Sequence, residues 1–179
     1  FIMVSSKTAS AATVLAALAL TKKPQLVIIG ALILLTSLFW LKNLPETQLA
    51  TISERIVLIQ ASTDIAAKNP LFGVGSGNFI ASLATLNLFT LTQIRLLQPV
   101  HNVFFLILSE NGIIGLLIFS YLLFTVAKFA VTPQKIALFI SLLVLASFDH
   151  FLWTLQQGQL LLWLSIAIIA SRQQVKKSL

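Results

Sequence analysis

The stretch Gln98–Phe124, QPVHNVFFLILSENGIIGLLIFSYLLF, decides how the chain is read. Its apolar run is that of a membrane helix. Yet it opens on Pro99-Val100-His101-Asn102 and carries Glu110-Asn111-Gly112 about two turns in. A charged carboxylate at mid-bilayer costs about 2.5–3.5 kcal/mol on insertion scales. Glu110 is therefore expected to face a bundle interior, to pair with something, or to be protonated. A structural hydrogen bond to another helix is the plain role for it, and a place in a proton relay is the functional one. His101 stands at the aqueous rim, where an imidazole with a pKa near 6.5 suits proton abstraction at neutral pH. The same position also fits an ordinary interfacial histidine. On a helix entered at His101, the residues Phe105, Leu108, Gly112, Gly115 and Phe119 share one face, with Glu110 roughly opposite. The two glycines there are expected to admit a neighbouring helix closely.

Composition agrees with the membrane reading. The chain has 179 residues, 58% hydrophobic and 9% charged, where a soluble domain carries about 25% charged residues. Its mean hydropathy is +0.97. The surplus apolar surface calls for lipid as solvent. There is no cysteine, which excludes disulfides and thiol chemistry. A net charge of +7 gathers in Lys22-Lys23, in Lys128 and Lys135, and in the tail Arg172, Lys176 and Lys177. The five acids fall elsewhere, so these clusters mark the cytoplasmic face. No basic stripe interleaved with aromatics appears, and nucleic acid is not expected as a partner. A chain opening on Phe1 is expected to be the C-terminal part of a longer one, inactive without upstream helices.

Apolar runs place spans at Thr8–Leu20, Gln25–Leu41, Asn102–Ala127, Ile136–Phe148 and Leu160–Ala170. Residues 1–179 read as one transmembrane domain, all-α and polytopic, with residues 42–101 as a large extracytoplasmic loop within it. Asp149–Gln159 reads as a second, smaller loop on the same side. Within the large loop, Thr51–Lys68 has helical periodicity, with Thr51 or Ser53 as possible caps. Ile52, Ile56, Leu58, Ile59, Ile65 and Ala66 form one broad apolar arc, and Arg55 projects from inside it. Such an arginine either snorkels to lipid headgroups or aims its planar fork at an anionic ligand beneath the helix. Next comes Asn69-Pro70-Leu71-Phe72-Gly73-Val74-Gly75-Ser76-Gly77-Asn78-Phe79. No buried strand precedes these glycines, which argues against a dinucleotide fingerprint. A tight re-entrant turn using positive φ is the simpler reading, with a phosphate-touching backbone nest as the alternative.

Taken in order, three pieces resemble the C-terminal half of the bacterial O-antigen ligase and O-antigen polymerase family. They are Glu54-Arg55 with the glycine turn, then His101-Asn102 with Glu110-Asn111-Gly112-Ile113-Ile114-Gly115, then Asp149-His150-Phe151-Leu152-Trp153-Thr154 with Gln157-Gly158-Gln159. The resemblance implies an inner-membrane glycosyltransferase of the GT-C type, working outside the cytoplasm on a polyprenyl-diphosphate-linked glycan donor. It implies inversion at the anomeric centre, no cofactor and no metal. The acceptor would be a lipid or a glycan, in contact with membrane lipids. By position, His101 would deprotonate the acceptor hydroxyl. Arg55 would hold the diphosphate, with Arg95, Lys7 and Asn102 as further substrate-binding groups. Lys7 stands where the family's Ser-Arg segment has arginine, which keeps the charge and loses the bidentate fork. Glu110, Asp149 and His150 are left as structural or relay residues.

The residues themselves agree on metal, because Asp64 and Asp149 are the only aspartates and no Asp-x-Asp pair exists to hold a divalent ion against a nucleotide-sugar. Arginines can neutralise a diphosphate leaving group instead. The rival readings are a transporter of ions or small solutes, using Glu110, Asp149 and His150 as an intramembrane relay, and a non-catalytic scaffold of envelope assembly.

Overall fold

The computed structural model describes residues 46–86 and 97–171. The described residues are all-helical, with no strand among them. The elements are α1 (Glu46–Lys68), α2 (Phe79–Thr85), α3 (Val103–Ala127), α4 (Pro133–Phe148), α5 (Phe151–Thr154) and α6 (Gln156–Ala170). The expected spans Thr8–Leu20 and Gln25–Leu41 lie outside the described residues.

Helix α3 is the centre of the arrangement. Asn102 caps it: its side-chain oxygen accepts the backbone N–H groups of Phe104 and Phe105 at 2.9 and 3.1 Å. By length and composition α3 can cross a membrane, and α4 and α6 are shorter apolar helices. Leu117, Ile118, Tyr121 and Phe124 on α3, and Leu160 and Leu164 on α6, are all more than half exposed. Apolar surface of that extent belongs against lipid. This is the fold of a membrane helical bundle.

Two apolar cores flank α3. On one side Leu58, Ala61 and Ile65 of α1 pack with Phe79 and Leu83 of α2, together with Val100 and Leu106. On the other, Phe119, Leu123 and Val126 of α3 pack with Leu142 and Ala146 of α4, Leu152 of α5, and Leu162, Ile166 and Ile169 of α6. Trp153 touches both.

α3 is not continuous. Gly112 has φ 66° and ψ −167°, a combination open essentially to glycine alone. The helical hydrogen bonds that this break would cut are replaced by the glycine turn. Val74 and Gly75 donate to the carbonyls of Ser109 and Glu110 at 3.0 and 2.8 Å. In return, Ile113 and Ile114 donate to the carbonyls of Pro70 and Leu71 at 2.8 and 3.4 Å. Backbone meets backbone so closely that a Cβ on Gly73 would lie 2.3 Å from the carbonyl carbon of Glu110, and one on Gly112 would lie 2.2 Å from the Leu71 oxygen. Non-helical backbone at membrane depth survives only where protein satisfies it, and here the turn does so.

The turn reading of Asn69–Phe79 holds, with positive φ at Gly73, Gly75 and Gly77. Other expectations need correction. What comes close at Gly112 is this turn, not a helix, because the break abolishes the helical face on which the approach was reasoned. α1 begins at Glu46, so Thr51 and Ser53 are interior residues and not caps. Ile52 and Ile56 are exposed, and α1 buries a narrower face through Leu58, Ala61, Ser62, Ile65 and Ala66. Asp149–Gln159 is not an open loop: it folds into α5 and the first turn of α6. Gly158 makes that corner, where a Cβ would run into the Phe151 carbonyl oxygen. Lys135, counted among the charges of the basic face, is buried and caps α6 by donating to the Ile169 carbonyl at 2.8 Å and to that of Ser171.

Candidate functional site

The polar residues gather where α3 begins and α4 ends. The Asn102 amide joins these two points, since its nitrogen donates to the Ser147 carbonyl at 2.8 Å while its oxygen caps α3. Asn102, expected among the substrate-binding groups, thus has both ends of its amide engaged in holding backbone. His101 immediately precedes the cap and is half-buried.

Past the end of α4, Asp149 is buried and folds back on the chain. Its Oδ1 accepts the N–H groups of His150 and Phe151 at 2.7 and 3.2 Å, which starts α5. That turn swings His150 toward His101, with ring centroids 5.1 Å apart and planes at 39°. Thr154, one turn further on, steadies the second ring: His150 Nδ1 and Thr154 Oγ1 are 2.7 Å apart. The Thr154 hydroxyl donates to the His150 carbonyl at 3.2 Å.

Arg55 enters from the opposite flank. It lies one turn before Leu58 and two before Ser62 on the buried side of α1. The Ser62 hydroxyl pins that side to α3 by donating to the Phe105 carbonyl at 2.7 Å. Arg55 itself donates to the Phe148 carbonyl at 3.3 Å, at the C-terminal end of α4. His101, Arg55, Asp149 and His150 therefore meet at one place, contributed by α1, the entrance to α3 and the junction of α4 with α5.

The electrostatics of this group favour neutral imidazoles. The pKa of His101 is lowered to about 4, first by burial, then by the Arg55 guanidinium and by His150, with Asp149 opposing. His150 is also lowered, chiefly by burial, with Asp149 pulling upward and Arg55 downward. At neutral pH His101 presents an uncharged, proton-accepting ring beside a fixed guanidinium and a carboxyl.

Glu110 stands apart from this group. It is buried, and its Oε1 accepts the Phe79 N–H at 3.4 Å. Its carboxyl lines a cavity of about 610 Å³ together with Trp153, Thr154, Gln159 and Trp163. Arg95 and Lys7 lie outside the described residues.

His101, Asp149 and His150 offer ligand atoms that all lie within 4.8 Å of one another, which makes them the group among the described residues that could share a metal ion. Tetrahedral nitrogen and oxygen ligands of one zinc ion stand about 3.3–3.5 Å apart, so these side chains would have to draw together to share one. It is also a donor set that a search for Asp-x-Asp pairs does not consider. The cavity, the Thr154–His150 contact and the approach of Arg55 to the end of α4 were not legible in the sequence. The adjacency of Asp149 and His150 was the one local signal for the cluster.

Against known proteins, the family model described as O-antigen ligase matches residues 2–120. That segment includes Arg55, His101 and Glu110 and stops before Asp149 and His150. Comparison with curated proteins and with solved structures returned no match.

Proposed function

Because the chain belongs to the O-antigen ligase family, we propose that it takes part in glycosyl transfer from a polyprenyl-diphosphate-linked glycan to a lipid or glycan acceptor, at the extracytoplasmic side of a bacterial inner membrane. The observation that carries this reading is the gathering of His101, Asp149 and His150 at one place, with Arg55 reaching the Phe148 carbonyl beside them.

The chemistry follows from the charges. An acceptor hydroxyl attacks the anomeric carbon of the donor sugar while the bond to the diphosphate oxygen breaks. His101 takes the hydroxyl proton, which it can do over the whole neutral range because its ring is held uncharged. The imidazolium so formed is stabilised by Asp149, whose carboxyl favours that charge. The diphosphate leaves with the negative charge, and Arg55 is, among the described residues, a group of fixed opposite charge acting on this centre, with a planar fork suited to two phosphate oxygens. Arg95 and Lys7 would add to that charge. Attack on the face opposite the leaving group inverts the anomeric centre.

The test is replacement of His101 by alanine in the full-length protein, with glycan transfer read from a defined lipid-linked donor. Loss of transfer in a protein that still inserts and folds supports the assignment; transfer at the unsubstituted rate ends it.

A further inference from the structure

We propose that the 610 Å³ cavity beside the His101 group is the seat of a neutral sugar residue of the acceptor. This rests on the glycosyl-transfer reading above and names the substrate element that the described residues are built to hold.

The cavity falls within the usual range for small-ligand sites, about 300–1,000 Å³. Its lining pairs two tryptophans, Trp153 and Trp163, with the polar residues Glu110, Thr154 and Gln159. A pyranose ring has that same division: C–H groups on its faces, which settle on the electron-rich face of an aromatic ring, and hydroxyls around its rim, which need acceptors and donors. The walls are positioned firmly. Trp153 packs edge-on against Phe119 with centroids 5.6 Å apart. Gln159 Nε2 donates to the Trp153 carbonyl at 2.7 Å, which leaves the Gln159 oxygen as an acceptor. Glu110 is fixed by the glycine turn docked on its carbonyl and by the Phe79 N–H at its Oε1.

Charge selects the kind of ligand. Among the described residues the lining contains one carboxyl and no basic residue, and Arg55 is not part of it. A diphosphate would find nothing there to offset its charge, while a polyol would find an acceptor for its hydroxyls. Position selects between the two substrates. Thr154, on the wall, is hydrogen-bonded to His150, and Pro99, also on the wall, lies two residues before His101. A sugar in the cavity can thus extend a hydroxyl toward the His101 ring, while the donor's diphosphate is drawn to Arg55 on α1.

The experiment uses the full-length protein in detergent with a defined polyprenyl-diphosphate-linked donor and a glycolipid acceptor, each titrated separately. Glu110→Gln and Gln159→Ala are each expected to raise the KM for acceptor about tenfold, with the donor KM and the saturated rate within about twofold of the unsubstituted protein. An unchanged acceptor KM in both variants overturns the proposal. A rise confined to the donor KM overturns it too, and puts the donor's sugar there instead. Gln159 is an exposed residue, so its variant keeps the test alive if the Glu110 change disturbs folding. A second readout does not need turnover. In a His101→Ala background, the phosphate-free oligosaccharide of the acceptor should quench tryptophan fluorescence saturably, and Trp163→Ala should reduce that quench, with Trp153 left as the remaining reporter. Quenching without transfer upholds the cavity whatever becomes of the His101 assignment. Transfer that depends on His101 with no quenching sinks the cavity alone.

Discussion

The two flanks of α3 are held to it by different physics. On the α1 side, four hydrogen bonds run from backbone to backbone through the Gly112 break beside the apolar core, and two glycines permit the approach. On the α4–α6 side, the bond is chiefly side-chain packing of Leu, Ile, Val and Phe, and the Asn102 amide on the Ser147 carbonyl is the polar link at its end. The first kind of joint is specific and brittle, because one extra carbon has nowhere to go. The second is tolerant, because apolar packing loses stability in proportion to the atoms removed. The polar group lies across the seam: Arg55 comes from the brittle flank, and Asp149 and His150 from the tolerant one. His101 meets its neighbours only when both flanks are docked.

The largest effect is expected at the brittle joint. Gly112→Ala places a Cβ against the Leu71 carbonyl in a conformation that alanine does not adopt. It should cost more than about 4 kcal/mol from strain and lost hydrogen bonds together. Gly73→Ala should behave alike. Thermal unfolding of the purified protein in detergent checks both. Survival of either variant with native stability would mean that the turn and α3 are not interlocked as described.

His101→Ala leaves both joints intact and should lower transfer by about 10²–10⁴-fold, the range for losing a general base. Its thermal stability should stay close to that of the unsubstituted protein. A parallel loss of stability would make the residue structural rather than catalytic.

On the tolerant flank, Leu142→Ala should cost about 2–4 kcal/mol through the cavity it leaves, and Leu142→Met very little. Equal losses from the two changes would show that this flank is as exacting as the other.

Arg55→Gln tests the seam. The rate of transfer requires neutral His101, so its acid limb should lie near the ring's pKa of about 4. Burial is the main cause of that depression and the guanidinium the second. Removing the guanidinium should move the limb upward while leaving it below the ordinary histidine value. A pH–rate profile that shifts downward, or does not move, would separate Arg55 from His101. The smallest effect is expected for Asn102→Ala, about 1 kcal/mol for the lost cap, with some added loss at the Ser147 carbonyl. A loss of transfer out of proportion to stability would return Asn102 to the substrate.

Much of the bundle was legible from local chemistry. Thr132-Pro133 combines a capping side chain with a proline suited to a helix start, and the structure caps α4 with the Thr132 side chain and places Pro133 at its first turn. The glycine alternation announced a turn, and Asn102 stands where a cap residue belongs. Less could be read where one run of residues offered the same hydrophobicity on every side. Nothing in Leu117, Ile118 and Phe119 tells which is buried, because all three are apolar, and only packing assigns Phe119 to the core and its neighbours to lipid.

By itself, the sequence determined that the chain needs lipid, that it is helical, and that a histidine, an arginine and a carboxyl were available for chemistry. Those conclusions depend on composition, on period and on single residues, all of which are local. Tertiary structure alone decided that Gly73 would pack on the Glu110 carbonyl and Gly112 on that of Leu71, that Arg55 would reach the end of α4, and that Asp149 would turn His150 toward His101. These contacts join residues distant in sequence through backbone groups that every residue carries alike, so no side-chain pattern announces them.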